Sequence, residues 1–286
     1  MTERKRIAFL TLTDRTGYCI YDALAIPHFA ALGYDVEEVP WDSSADWKSY
    51  DAAIIRSTWD YTERSEEFYA TLAHIESSTK LFHNLALVRW NAHKSYLREM
   101  REAGAPLLPT HFGRALRDED LNDAFDAFAC DELVVKPAIS ANARGTFRHR
   151  RGDPSAALLE THTGDYLIQP FAPEVVAEGE LSLFYFGGEL SHAVMKTPKA
   201  GDFRVQEEHG GLLKSVTPGD KALKAAELCL AAVPFELLYA RVDLVRFASA
   251  WMLMELELIE PSLYFPFDDE SPARFAAAVH ARLSGS

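Results

Sequence analysis

Cysteine is scarce in this chain: Cys19, Cys130 and Cys229 are the only three in 286 residues. An odd, scattered set suits neither a disulfide framework nor a zinc site, and the three read as buried cytosolic thiols. Long apolar runs are missing as well. No stretch approaches the roughly 18 residues that span a bilayer, and the apolar segment 7–12 is too brief for a signal-peptide core. The expectation is a cytoplasmic chain with no membrane partner. Positive charge is the minority, 29 lysines and arginines against 43 aspartates and glutamates, a formal net charge of −14. Such a surface repels nucleic-acid phosphates and anionic lipid, which sets both aside as partners. It leaves room for a local basic pocket around a small phosphate ligand. The glycines of a dinucleotide turn are absent too. After the first strand stand Asp14, Arg15, Thr16 and Gly17 where G-x-G-x-x-G is required, and no G-K-[ST] occurs, which excludes a plain dehydrogenase and a P-loop. His28, His83, His93, His192 and His209 show no metal-ligand spacing, although His93 adjoins Lys94 and could meet a nucleotide.

What is present is a regular alternation of elements. The length fits two or three compact units. Residues 6–11, 34–39, 51–57 and 81–82 read as strands, and 21–32 and 63–75 as helices, the first closed by Gly33. This pattern predicts an open, mostly parallel α/β sheet over the first 90 residues. Ligands bind beyond the carboxyl ends of such strands, where Arg56, Ser57, Thr58 and Trp59 fall. Trp59 and Trp90 equally suit core or domain-interface aromatics. Helices follow at 91–104, 118–128, 221–230 and 271–283, with strands at 133–135, 146–149 and 166–169. Beyond these the chain turns β-rich. Residues 181–186 and 191–195 flank Gly187 and Gly188, a strong hairpin signal. Strands 242–245 and 251–259 form a second hairpin.

Three motifs carry chemistry. In the first, Lys136 ends an apolar strand and is followed by a small-residue loop holding Ser140, Ala141, Asn142, Ala143 and Gly145. A strand lysine can fix an ammonium beside phosphate oxygens while the loop folds over them; the same residues also suit a surface lysine before an ordinary turn. In the second, Glu255 and Glu257 are two apart on a strand and share a face, with Asp243 on the strand before. Carboxylates crowded among apolar residues repel one another unless a cation intervenes. Magnesium fits, because its ligands are hard oxygens and the nearby strands supply few bases. Salt bridges to lysine or arginine are the other outcome. Glu260 falls on the opposite face by alternation and is left out as a ligand. In the third, Lys196 and Arg204 flank a loop containing Gly201, placed to stabilise a transferred phosphoryl group or an anionic substrate, or else to offset the acidic surface.

In this order the pieces resemble the ATP-grasp ligases, and within them the prokaryotic glutathione-synthetase branch, from about residue 91 to 261. Residues 136–148 are similar to that branch's KP-loop-FR stretch. Asp243, Glu255 and Glu257 match its D…E-x-N magnesium motif, with Pro261 four residues on; residues 196–204 resemble its R-x-P-x-G-G-x-x-R segment. Asn91-x-x-Lys94 is similar to the pattern of its first ATP-contacting lysine. Glu257 replaces an asparagine, Ser182 an arginine, and Gly145 is the sole glycine of the loop, departures that set glutathione synthesis aside. The segments RSTWDY (56–61), ELELIEPS (255–262) and KTPKAGDFRVQ (196–206) look more like the O-ureido-serine cyclo-ligases of cycloserine biosynthesis.

The resemblance implies an ATP-grasp fold, α+β in its catalytic part. A Rossmann-like pre-ATP-grasp domain (1–90) would precede a central ATP-binding subdomain with a lid loop (91–172) and a C-terminal subdomain with the magnesium hairpin (173–286). It implies ATP and Mg2+ as cofactors and a homo-oligomer, dimer or tetramer. Lys94 and Lys136 would hold phosphates. The backbone of Gln169, Pro170, Phe171 and Ala172 would hold adenine, and Glu178 or Glu180 would lie near the ribose. Arg204 would face the transferred phosphoryl group and Lys196 the substrate carboxylate, with Arg56, Ser57 and Trp59 contacting a small amino-acid-like substrate. The implied activity is carbon–nitrogen ligation through an acyl phosphate, with ring closure in one molecule. An intermolecular amino-acid or peptide ligase, or a nucleotide-binding sensor without turnover, are the alternatives.

Overall fold

The computed structural model describes residues 4–141 and 143–285. The first unit is a parallel sheet of β1 (Lys5–Thr11), β2 (Tyr34–Pro40), β3 (Ala52–Ser57) and β4 (Lys80–Phe82), in the order β2-β1-β3-β4. Its connections hold α1 (Ile26–Ala31) and α2 (Ser65–Ser78). The helix expected over 21–32 is a single 3-10 turn, Asp22–Leu24, and then α1. Pro27 sits in the first turn of α1, where its missing N–H costs nothing and its fixed φ favours a helix start.

The helix expected over 91–104 is also two helices, α3 (Leu85–Ala92) and α4 (Tyr96–Glu102). Asn84 caps the first by accepting from the Leu87 N–H at 2.9 Å. The buried side chain of Asn91 then donates to the Leu256 carbonyl at 2.9 Å and accepts from the Leu258 N–H at 3.0 Å. Lys94 leaves the helical path, its N–H bonding the Ala138 carbonyl at 2.8 Å. The break is what turns the Lys94 side chain away from a helix surface.

The second sheet joins β5 (His111–Arg114), β6 (Glu132–Pro137), β7 (Phe147–Arg150) and β8 (Asp165–Pro170) in the order β5-β8-β6-β7. Helix α5 (Asp118–Phe128) packs on it through Leu121, Ala124 and Phe125, and a short α6 (Ala156–Thr161) adds Leu158. Asp118, Glu119 and Asp120 stand in the first turn of α5, where the helix dipole favours negative charge.

After α7 (Glu174–Ala177), the third sheet has β9 (Glu180–Phe186), β10 (Glu189–Thr197), β11 (Leu212–Ser215), β12 (Tyr239–Phe247) and β13 (Ala250–Glu257). All its pairings are antiparallel, in the order β11-β10-β9-β12-β13. Gly187 and Gly188 turn β9 into β10 with φ of 60° and 93°, the left-handed values that a two-residue hairpin loop needs. One face of this sheet buries Leu183, Val242, Leu244 and Leu256 beneath α8 (Asp220–Ala231) and α4. The other meets α9 (Ser271–Leu283), whose Phe275 packs against Phe9, Phe29, Phe186 and Tyr239. The closing helix therefore ties the last sheet to the first. Strands β5 and β11 and helices α6 and α7 escape the sequence reading because each is too short to show a period. Of the cysteines only Cys229 is buried; Cys19 and Cys130 are half-buried, and all three are free. No helix among the described residues is long and apolar enough to cross a membrane.

His83, at the end of β4, makes a second tie between the sheets. Its Nδ1 lies 2.6 Å from the Leu258 carbonyl and its Nε2 lies 2.8 Å from the Leu238 N–H. These partners require a neutral ring that donates from Nδ1 and accepts at Nε2. Burial holds its pKa down to about 4, against an ordinary value of 6.5. A depressed histidine pKa stabilises the fold fully above pH 6.5, and the contribution is lost as pH falls from there towards 4. Wild-type protein is expected to lose about 2 kcal/mol from this group between pH 7 and 5. His83→Gln should start less stable and lose less over the same interval in denaturant titrations. Equal pH slopes in the two proteins would refute the assignment.

Candidate functional site

The pairing of four strands sets out a row of charged side chains on one sheet face. On that face Arg241 lies opposite Glu257 and Asp243 opposite Glu255. Ser182 neighbours Asp243, and Glu180 lies opposite Lys196. Strand alternation leaves the reverse face apolar, so the sheet is a core wall on one side and a polar floor on the other. A bulge between Asp243 and Leu244 marks the floor's centre.

The floor opens into a cleft of about 1460 Å3, measured to its mouth, between the second and third sheets. Glu180, Arg241, Asp243, Glu255, Glu257, Lys94 and Lys136 line it. Lys94 donates to the Ser140 carbonyl at 3.0 Å and pairs with Glu255 at 3.1 Å. Lys136 is buried, and its ammonium has neither an ion pair nor a hydrogen bond among the described residues. Burial lowers its pKa, and the charge of Lys94 adds to the shift. Elsewhere the walls are apolar: Leu108, Val134, Phe171, Val175 and Met254, which line the cleft, belong to one hydrophobic cluster. Gln169, Pro170, Phe171 and Ala172 all line the cleft.

The carboxylates differ. Burial works against ionisation of Asp243, but Arg241 and Lys196 hold it below the usual carboxylate range. Arg241 grips it at 3.0 to 3.1 Å, and Ser182 donates to it. Glu255 is likewise lowered against its burial, by Lys94 and Lys136. Glu257 goes the other way. Burial, with Asp243 and Glu255 adding like charge, pushes it up to about 7 although Arg241 is in contact. Among the described residues no three Asp, Glu, His or Cys side chains stand close enough to hold a metal ion. Three hard-oxygen carboxylates lining one cleft are nonetheless the kind of donor set that suits magnesium.

Several expectations from the sequence are displaced. The nearby elements supply bases in plenty: Arg241, Lys196, Lys94 and Lys136 all approach the acids. Lys196 is no loop cation. It lies within β10, 1% exposed, pairing with Glu180 and with Asp243 at 3.5 Å, buried within the floor and not lining the cleft. Arg56 is equally buried, bonded to Asp22 and to the Pro261 carbonyl at 3.0 Å, and Ser57 is bonded to Thr11 at 2.8 Å; neither reaches the cleft. Their strand ends against the third sheet, so its terminal side chains join a core. Glu178 faces outward to Arg246 at 3.5 Å, leaving Glu180 as the acid that lines the cleft.

Trp59 does line the cleft, and its indole donates to the Glu260 carbonyl at 2.8 Å. Glu260, excluded by alternation, lines it too, because β13 ends at Glu257 and the chain bends before residue 260. Arg204 lines the cleft and pairs with Asp202 at 2.8 Å. Ser140, Ala141 and Ala143 roof it. Gly145 instead borders an adjoining cavity with Tyr18 and Glu63. At φ of 69° a Cβ there would stand 2.8 Å from Pro137, so only glycine fits. Asn142 lies outside the described residues. His93 bonds Ser95 and Asp165 and does not line the cleft. Arg241 went unread although its spacing from Asp243 puts both on one face.

Comparison with known proteins places this geometry. Residues 7–83 match the model of the D-cycloserine synthetase DcsG N-terminal domain. The cycloserine biosynthesis protein DcsG of Streptomyces lavendulae is 31% identical over 274 residues, 88% of this chain and 90% of that protein. The crystal structure of D-cycloserine synthetase DcsG superposes with a TM-score of 0.86 at 28% identity, over 97% of this chain and 99% of that one. The D-alanine–D-alanine ligase of Bacillus anthracis, solved with ATP, shares the fold with a TM-score of 0.70 at 16% identity, over 99% and 100% of the two chains. The chain belongs to the cycloserine-synthetase family of ATP-grasp ligases and is an ATP-dependent ligase.

Proposed function

We propose that this enzyme uses magnesium ATP to activate the carboxylate of a small amino-acid-like molecule and closes a ring within it through a carbon–nitrogen bond. The observation that carries the reading is Lys136, a buried ammonium without an ion pair or hydrogen bond among the described residues, lining the cleft with Lys94 and the carboxylate floor. A lone buried ammonium is costly. A triphosphate reaching from the apolar walls would relieve it, and the nucleobase would lie between the walls that include Phe171 and Met254.

In this reading Lys94 and Lys136 bind phosphate oxygens. Glu255 and Glu257, backed by Asp243, would hold magnesium, which when bound screens the phosphates' charge from the carboxylates. A substrate carboxylate oxygen attacks the γ-phosphorus; the bond from that phosphorus to the bridging oxygen breaks and ADP leaves. Arg204 and Arg241 stabilise the negative charge spread over the transferred group. A nitrogen of the same molecule attacks the acyl carbon and loses its proton, the acyl carbon–oxygen bond breaks, and phosphate departs. The intermediate survives only if water is kept out. Ser140, Ala141 and Ala143, which line the cleft, would do this as a lid, and Arg144 beside them pairs with Glu63 of the first unit. Lys196 takes no substrate in this scheme; it neutralises Glu180 and Asp243 from within the floor.

Phosphate release with magnesium ATP and a panel of amino-acid-derived acids, including both enantiomers of O-ureidoserine, tests the reading. ADP and phosphate should appear with one acid alone. Dependence on a second amine would establish an intermolecular ligase instead, and ATP binding without release would establish a sensor. Glu255→Gln is expected to lower kcat/KM about 100-fold or more and to raise the magnesium concentration needed for half-maximal rate; unchanged turnover would remove the proposed metal site. Lys196→Met should lower unfolding free energy by about 3–5 kcal/mol, because buried Glu180 loses its ion-pair partner. The half-exposed Arg204 changed to Ala should stay within about 0.5 kcal/mol of wild type while losing activity.

A further inference from the structure

Two side chains that were expected to touch substrate hold backbone instead, and both hold the same short segment. The Trp59 indole donates to the carbonyl of Glu260 at 2.8 Å, and the Arg56 guanidinium donates to the carbonyl of Pro261 at 3.0 Å. The Tyr239 hydroxyl reaches the carbonyls of Ile55 and Ile259, each at 2.8 Å. Residues 259–261 are thus clamped from the first unit, and the one side chain of the three that is ionisable, Glu260, lines the cleft.

No cation pairs with the Glu260 carboxylate among the described residues. The nearest basic influence is Lys94, whose ammonium is already engaged by Glu255 and Ser140. Burial, with the like charge of Glu257 and Glu255, pushes the Glu260 pKa well above the usual carboxylate range, a shift that a bound cation would offset, and the phenol of Tyr61 feels its charge in turn. The surrounding walls include Trp59, Tyr61 and Tyr264. A fixed carboxylate with aromatic faces near it and no basic partner is a receptor for a small cation, since aromatic rings also attract ammonium groups. Glu260 lines the same cleft as Glu257 and Arg204, so a substrate whose carboxylate meets the γ-phosphate there would share that cleft with it.

We propose that Glu260 is a specificity-determining residue that binds the α-ammonium of the substrate, and that Trp59 and Arg56 position it by clamping its backbone. The inference rests on the amino-acid-like substrate of the proposed function. An amino acid whose carboxylate is aimed at the phosphates presents its ammonium one carbon away, and Glu260 is the acid left over to receive it. Substrates without that amine lose the contact and leave a carboxylate buried without a partner, which disfavours them twice.

The test pairs the residue with the group it should bind. Phosphate release is measured for wild type, Glu260→Gln and Glu260→Ala, using O-ureidoserine and 3-(ureidooxy)propanoic acid, which lacks only the α-amine. Wild type should prefer the amine-bearing acid by about 100-fold in kcat/KM, mostly through KM. Glu260→Gln, close in shape, should erase most of that preference while leaving magnesium ATP binding, followed with a fluorescent ATP analogue, unchanged. A Gln variant that keeps the wild-type preference, or one that binds magnesium ATP more weakly, overturns the anchor, the second result by making Glu260 a metal ligand. Equal turnover of both acids by wild type overturns it as well. Turnover of neither acid overturns the functional reading, and the anchor falls with it.

Discussion

Opposite charge within and above a single sheet face governs this molecule. Burying Glu180, Asp243, Glu255 and Glu257 on adjoining strands would be prohibitive without nearby cations. The chain supplies two kinds. Arg241 and Lys196 are built into the sheet, are almost wholly buried, and are permanently engaged with the acids. Lys94 and Lys136 come from outside the sheet and border open space. The first pair makes the floor stable enough to fold. The second pair is what a phosphate chain can recruit, because its charge is not fully spent within the protein.

This division explains why neighbouring carboxylates behave differently. Asp243 is gripped by Arg241, approached by Lys196 and bonded by Ser182, which together hold it below the usual carboxylate range against its burial. Glu255 is lowered by the two cleft lysines, so its partners are the very groups proposed to bind phosphate. Glu257 is raised to about 7. Burial, with the like charge of Asp243 and Glu255, outweighs the contact with Arg241 there, and a divalent cation arriving with the nucleotide would favour the ionised form. Nucleotide and metal are thereby expected to bind together, since phosphates draw Lys94 and Lys136 away from Glu255 and so leave it in need of a cation.

Much of the fold was legible in the sequence because the period was clear. Residues 118–128 match α5 at both ends, where an amphipathic repeat begins with three acids. The Gly187-Gly188 hairpin was equally plain. The site was legible where alternation within a strand decides direction: Glu255 and Glu257 do share a face that borders the cleft. It was illegible where tertiary contact overrides local pattern. Alternation extended past Glu257 misdirected Glu260, because the strand had already ended. Arg56 and Ser57 lie at the carboxyl end of a parallel strand, the usual place for ligands, but α9 and the third sheet cover that end. Nothing in the sequence near residue 56 announces a helix more than two hundred residues later.

The same covering gives the first unit its role. Its strand ends do not face the cleft directly; they hold the chain that does. His83 grips Leu258 and Leu238, Tyr239 bridges Ile55 and Ile259, and Arg56 and Trp59 fasten residues 261 and 260. Each contact lands on the segment leaving β13 or on the strand beside it. A hairpin that carries an acidic floor tends to splay, since its charges repel one another and its end has no further strand to pair with. Fastening that end to a separate, rigid parallel sheet resists the splaying. The first unit thus contributes mainly by fixing backbone. Its direct share of the cleft is small, Trp59 and Tyr61, and these are carried on the loop that follows the clamped strand.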